Sequence, residues 1–226
     1  MQVSIHTLAY PGNNQEMVEH HRKVYNKFEI PVNYTIAQVR HGHFMDYTIQ
    51  NTDADIFLFI DSDCVILDRS IIDECLDYVI TNDSFIGPAQ ATNHIPPKSH
   101  IFAAPSFLMI TKSCYQKLGS PSFLETNRSD VAQELSYIAE ENAKRYKCIY
   151  PTMFDTIPLE GVWRLGNYGY YGIGTLFGDK IYHLYQGRVG VNVELFKNRC
   201  NQILEGHFDK SQMYSSLREF NGKVVD

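Results

Sequence analysis

The sequence predicts an α/β protein with a mostly parallel, Rossmann-like central sheet and helices on both of its faces. Strand-like and helix-like runs alternate from Val3 onward, which is the signature of strand–helix–strand units. Ile56-Phe57-Leu58-Phe59-Ile60 is unbroken apolar sequence, as expected of a strand buried on both faces of a parallel sheet. The composition, 44% hydrophobic and 20% charged over 226 residues, excludes disordered, collagen-like and low-complexity classes and suits one domain spanning 1–226.

Val3 to Ala9 is rich in β-branched residues and reads as a strand, stopped by the turn chemistry of Tyr10-Pro11-Gly12-Asn13-Asn14. Met17, Val18, Val24, Tyr25 and Phe28 recur at helical spacing between Gln15 and Phe28, and Pro31 closes that helix. Val32, Tyr34 and Ile36 then alternate with polar or small residues as a second strand. Arg40-His41-Gly42-His43 is expected to turn, Phe44 to Gln50 to form a short helix, and Ile56 to Ile60 the third strand. Asp68 is placed to cap a helix lined by Ile71, Ile72, Cys75, Leu76 and Val79. Ser84 to Gly87 restarts a strand, Pro88 to Pro105 reads as loop, and Ser106 to Ile110 is a further apolar strand before a short helix ending at Gly119.

Asp130 is expected to open a longer helix through Tyr146, with Gln133 as its capping-box partner. Between Gly161 and Gly178, glycines interleave with Trp163, Tyr168, Tyr170 and Tyr171, which predicts either a mobile or tightly turning aromatic loop, serving as lid or acceptor platform, or a glycine-rich hairpin that packs its aromatics. A last strand is expected over Lys180 to Tyr185 and an amphipathic helix over Val193 to Leu204.

Twenty Lys and Arg against twenty-six Asp and Glu leave a net charge of −6, so no overall positive field gathers nucleic acid or an anionic membrane. The residues around Met1 lack a basic, apolar leader and the longest apolar run is far short of a membrane span; a soluble cytoplasmic protein is expected, in the host cytoplasm if viral. The five cysteines are scattered without a CxxC pair, as expected of reduced thiols rather than a disulfide framework or zinc clamp.

Asp61-Ser62-Asp63 follows the apolar strand directly, where ligands of open α/β sheets bind. Two carboxylates there offer a hard oxygen site for Mg²⁺ or Mn²⁺ completed by substrate phosphates. Acidic residues also end strands simply as solvated turn formers.

Asp55 to Leu67, with the Asp61-Ser62-Asp63 triplet at its centre, resembles the DxD segment of GT-A-fold nucleotide-sugar glycosyltransferases of the family-two type. Ser129-Asp130-Val131-Ala132-Gln133-Glu134-Leu135 resembles the acidic helix start that follows their acceptor strand. Tyr182-His183-Leu184-Tyr185-Gln186-Gly187-Arg188 resembles their C-terminal histidine motif. The three occur in the family's order over roughly Val3 to Arg188.

The resemblance implies a nucleotide-sugar-binding half over 1–110, an acceptor and catalytic half over 111–190 and a helical tail over 191–226. It places Asp61 beside the ribose and metal, Asp63 and His183 as metal ligands, and Arg188 on the diphosphate. Tyr10 and Pro11 would border the nucleobase and Arg40 the ribose or phosphate. Asp130 would be the base that deprotonates the acceptor, with a plain helix cap as its other reading, and Glu134 would support or replace it. His183 also reads as a buried core histidine, and His41 and His43 as surface residues. The implied donor is a UDP-sugar, and the acceptor is a glycan, lipid, protein or a hydroxymethylated phage DNA base. Two other classes fit parts of the sequence: a haloacid dehalogenase-type phosphatase using Asp61 as nucleophile, and a non-catalytic nucleotide or carbohydrate-binding module.

Overall fold

A computed structural model describes residues 1–12, 15–92, 95, 100–155, 162–187, 190–218 and 224–225. The chain opens with β1 (Val3–Ala9), α1 (Gln15–Lys27), β2 (Asn33–Ile36), α2 (His41–Asn51) and β3 (Ile56–Ile60). There follow β4 (Cys64–Ile66), α3 (Ser70–Asn82), β5 (Phe85–Ala91), β6 (Ile101–Ala103) and β7 (Phe107–Thr111). Next come α4 (Lys112–Lys117), α5 (Gln133–Glu141), β8 (Lys147–Ile149), β9 (Pro151–Asp155), β10 (Val162–Leu165) and β11 (Gly169–Tyr171). The rest is β12 (Gly174–Phe177), β13 (Ile181–Leu184), α6 (Gly190–Glu205), β14 (Tyr214–Ser215) and β15 (Val224–Val225). These elements fall into two compact units through which the chain passes repeatedly: Met1–Pro11, Val32–Asp61 and Ile72–Ile149 form the first, and the remaining segments the second.

The first unit carries a seven-stranded sheet of order β2-β1-β3-β7-β5-β6, with β8 also paired to β5. β1, β2, β3, β5 and β8 share one direction, so the mostly parallel sheet expected from the sequence is present. β6 and β7 run against them. The reversal follows from the connection: β5 returns through a hairpin, with Ala91 opposite Ile101 and Ile86 opposite Met109, and a hairpin reverses direction where a helical crossover does not. The 88–105 segment, expected to be loop, therefore contains the end of β5 and all of β6. All five residues of β3 are buried. Phe57 and Phe59 stack at 6.2 Å within a core that includes Phe44 and Met45 of α2, Leu108 and Ile110 of β7, Phe123, and Leu135 and Ala139 of α5.

Two helix starts differ from expectation. α2 begins at His41, so Arg40 is its N-cap in extended conformation and His41-Gly42-His43 is a helical turn rather than a reverse turn. α5 begins at Gln133, with Ala132 as N-cap in the left-handed conformation at φ 61°. Asp130 thus lies before the helix. Its Oδ1 accepts the Val131 N–H at 2.8 Å, and only the Gln133 half of the expected capping box forms, Oε1 accepting the Asp130 N–H at 2.8 Å.

The second unit holds an antiparallel sheet of order β14-β9-β12-β13-β4 and a three-stranded sheet of order β11-β10-β15. α1 packs against α6; α1 buries Met17, Val24 and Tyr25, and α6 buries Val193, Phe196 and Ile203. Lys27 Nζ donates to the Ile203 carbonyl at 2.6 Å and to the Leu204 carbonyl at 3.1 Å in the last turn of α6. Of the two readings of the aromatic stretch from Gly161 to Gly178, the hairpin is the one present: β10 and β11 pair antiparallel with Trp163 opposite Tyr171, and β12 follows; Gly161 itself is outside the described residues. The tail expected to be helical is helix only to Glu205 and then forms β14 and β15.

A buried ion pair anchors this unit. Arg199 of α6 donates to Asp155 of β9 in fork geometry, Nε to Oδ2 at 3.1 Å and Nη2 to Oδ1 at 2.6 Å, and Tyr182 Oη donates to Asp155 Oδ2 at 2.9 Å. Arg199 and Asp155 are 5% and 6% exposed, so neither is compensated by water. Burial and the neighbouring Asp155 charge push the Tyr182 phenol well above its ordinary value and keep it a donor. Arg199→Ala is expected to cost about 3–5 kcal/mol in urea unfolding, since it strands a buried carboxylate, whereas Arg199→Met with Asp155→Leu should recover much of that loss.

Candidate functional site

β3 delivers Asp61 at the edge of the first unit, where its N–H donates to the Ser106 carbonyl at 3.0 Å. The chain enters the second unit at Ser62, and Asp63 precedes β4. β4 pairs antiparallel with β13, placing Cys64 opposite His183 and Val65 opposite Tyr182. The Asp63 carbonyl accepts the Leu184 N–H at 2.9 Å, and α1 supports β4 from behind through Tyr25 Oη, which donates to the Cys64 carbonyl at 3.3 Å.

This pairing brings His183 Nε2 to 3.5 Å from Asp63 Oδ1. One ligand atom from each of Asp61, Asp63 and His183 lies within 4.8 Å of the others. Ligands cis to each other on an octahedral Mg²⁺ or Mn²⁺ are about 3 Å apart, so a small inward movement would seat an ion, and two carboxylates with an imidazole suit such a cation. Gly187 completes the cradle. A Cβ there would stand 2.8 Å from Asp63 Oδ2 and 3.2 Å from Met17 Sδ, so only glycine lets the backbone pass the carboxylate without displacing it. The His183 ring rests edge-on against Tyr185 at 4.3 Å, and Tyr185 in turn meets Trp163 and Tyr171. His41 Nε2, at the start of α2, lies 3.4 Å from Asp61 Oδ1 and makes the first unit's polar contact to that carboxylate. The sequence reading left His41 on the surface and gave Gly187 no role; neither residue's type announces what the fold makes of it.

The other expected site residues are placed as follows. Tyr10 is half-buried and packs against the first unit's core, and Pro11 is exposed. Arg40 is exposed and paired with Glu125 at 2.5 Å. Arg188 lies outside the described residues. Glu134 is held by Arg128, whose Nε donates to both carboxylate oxygens at 3.1 and 3.2 Å, and Arg128 also reaches Glu141 at 2.7 Å. That hydrogen bonding holds the Glu134 carboxyl below its ordinary range, which makes it a poor proton acceptor at neutral pH. Among the described residues, Asp130 has no cation within ion-pair distance of its carboxylate, and the residue is partly buried. The thiols of Cys75, Cys114 and Cys148 are pushed up to about 12 by burial, so they are inert at neutral pH. No described helix is long and apolar enough to cross a membrane.

No family model matches the sequence, and no curated protein matches it. Solved structures do match. The A197 protein from STIV is 12% identical, over 81% of this chain and 94% of that one, with a TM-score of 0.45. The mannosyltransferase PcManGT from Pyrobaculum calidifontis, in complex with GDP-Man and Mn²⁺, is 8% identical over 65% of this chain and 54% of that one, with a TM-score of 0.46. A glycosyltransferase involved in glycosylation of the major capsid of PBCV-1 is 11% identical over 69% of this chain and 85% of that one, with a TM-score of 0.41.

The Arg128–Glu134 pair makes a testable contribution. Because the folded-state carboxyl value is depressed, its stabilisation is present above the unfolded value near 4.5 and is lost as pH falls through the lower folded value. Glu134→Gln should lower stability by about 0.2–1 kcal/mol at pH 7, as for other partly exposed pairs, and in thermal melts the difference should shrink steadily as pH falls below the unfolded value near 4.5.

Proposed function

We propose that this protein transfers a sugar from a nucleoside-diphosphate donor, a UDP-sugar, to an acceptor hydroxyl with inversion at the anomeric carbon. The observation that carries the reading is the convergence of Asp61, Asp63 and His183 at the end of the buried strand β3. The sequence resemblance to GT-A-fold enzymes supports it independently of that geometry. Asp61, Asp63 and His183 would hold Mn²⁺ or Mg²⁺, and the bound cation would stabilise the departing diphosphate as a Lewis acid.

Sugar transfer breaks the anomeric C–O bond through an oxocarbenium-like state, and the acceptor hydroxyl loses a proton as it attacks. Asp130 is the base in this reading. Its carboxylate is free of the cation that ties up Glu134, and it does not cap α5, so retention of Asp130 is not required for that helix. Tyr10, Pro11, Arg40 and Arg188 would border the nucleotide, with Arg40 leaving Glu125 to do so. The transferred sugar is a hexose or pentose. A glycan, lipid, protein or modified DNA base could each supply the hydroxyl, and the −6 charge weighs against DNA. The reaction belongs in the cytoplasm, where nucleotide sugars are made.

Calorimetry of UDP binding with and without Mn²⁺ tests the centre of this reading. Asp63→Asn should abolish the metal-dependent part of binding while leaving the melting temperature within a few degrees of wild type. Gly187→Ala should weaken metal affinity by about 10-fold or more through displacement of the Asp63 carboxylate, the range in which disturbed metal-site support acts. Unchanged binding in both variants would reject the metal site. Asp130→Asn should lower turnover by roughly 10² or more with no change in melting temperature, because an amide cannot take the acceptor proton; near-normal turnover would move the base elsewhere.

A further inference from the structure

The β10–β11 hairpin has two unlike faces. Trp163 and Tyr171 are cross-strand partners stacked at 5.6 Å, and both touch Tyr185, whose ring meets His183. Arg164 and Tyr170 are the next pair along, so strand alternation turns them to the opposite face, where the guanidinium lies 5.3 Å from the Tyr170 ring. On that face a groove of about 260 Å³ is lined by Arg164, Asn167, Tyr168, Tyr170, Leu217 and Arg218. It is too small for a nucleotide sugar and large enough for a phosphate group with part of an attached ring.

Two features make the groove more than a gap between loops. Gly169 approaches the 214–218 segment so closely that a Cβ would stand 2.0 Å from the Ser216 carbonyl oxygen, while that same oxygen accepts the Tyr170 N–H at 2.9 Å. The close approach brings Arg218 to the hairpin. Second, among the described residues neither Arg164 nor Arg218 is paired with a carboxylate, although the chain carries six more acidic than basic groups. Two guanidiniums without a carboxylate partner among the described residues, one steadied on an aromatic face, with the Asn167 amide in the same lining, present the forked donors that bind a phosphate oxyanion bidentately.

We infer that this groove is an anion site for a phosphate monoester, separate from the Asp61, Asp63 and His183 cluster. Binding there does not depend on the glycosyl-transfer reading; its use to hold a phosphate-bearing acceptor does.

The test is isothermal titration of the full chain with inorganic phosphate and, separately, glucose 6-phosphate, at low salt and in EDTA so that no cation can recruit either to the carboxylates. Saturable binding of both is expected, with the ester at least as tight as free phosphate. Arg164→Gln should weaken each by about fivefold or more, Arg164→Lys by less, and Arg164→Gln with Arg218→Gln should abolish binding. UDP binding with Mn²⁺ should be unchanged in that double variant, so failure here and failure of the metal site are read separately. Absence of saturable binding, exclusion of the ester, or wild-type affinity in the double variant would each overturn the proposal.

Discussion

The register between β4 and β13 is the constraint on which the candidate site depends. His183 stands beside Asp63 because Cys64 pairs with His183 and Leu184 donates to the Asp63 carbonyl. Side chains alternate along a strand, so a slip of one residue would send His183 to the far face and bring Tyr182 in its place. That slip is blocked by what Tyr182 does. It is fully buried and donates to Asp155, which Arg199 holds by a fork. Dislodging the phenol would leave a buried carboxylate short of a donor and expose a large ring to a face shaped for imidazole, at a cost of several kcal/mol. The ion pair fixes which face of β13 looks at Asp63, and its effect on the site is one of specification.

Much of this was legible in the sequence, for identifiable reasons. β3 and the Asp61-Ser62-Asp63 triplet were readable because an unbroken apolar run has few alternatives in an α/β chain. The meeting of His183 with the acidic pair, 120 residues earlier in the chain, followed from resemblance and not from local pattern. β4 was not visible: Cys64-Val65-Ile66 is three residues long and abuts a turn, below the length at which periodicity speaks. The direction of β7 was equally hidden, because an apolar strand has the same composition whether it arrives by crossover or by hairpin.

The glycine-rich aromatic stretch shows a different limit. Glycine appears both where a chain must be loose and where another backbone must come near, and composition cannot separate the two. At Gly169 the second reason holds, since a carbonyl occupies the space that a side chain would need. Asp130 was misread for a related reason. Asp before an apolar-periodic run usually caps a helix, but here Ala132 adopts a left-handed conformation, and the helix starts past it. Asp130 instead precedes the helix, where its carboxylate accepts the Val131 N–H.

The two carboxylates of the site are held by different means, and their roles should differ accordingly. Asp63 is fixed by the strand pairing behind it and by Gly187 in front, within one unit. Asp61 is fixed by the end of β3, by the Ser106 carbonyl that anchors its N–H, and by His41 at 3.4 Å. A carboxylate carried on a paired strand keeps its place as long as that pairing holds. A carboxylate whose partner is a half-buried histidine at a helix start can exchange that partner for a cation or a ribose hydroxyl at little cost. Under the proposed reading, Asp63 with His183 would anchor a bound cation, and Asp61 would be the carboxylate that adjusts when a donor binds.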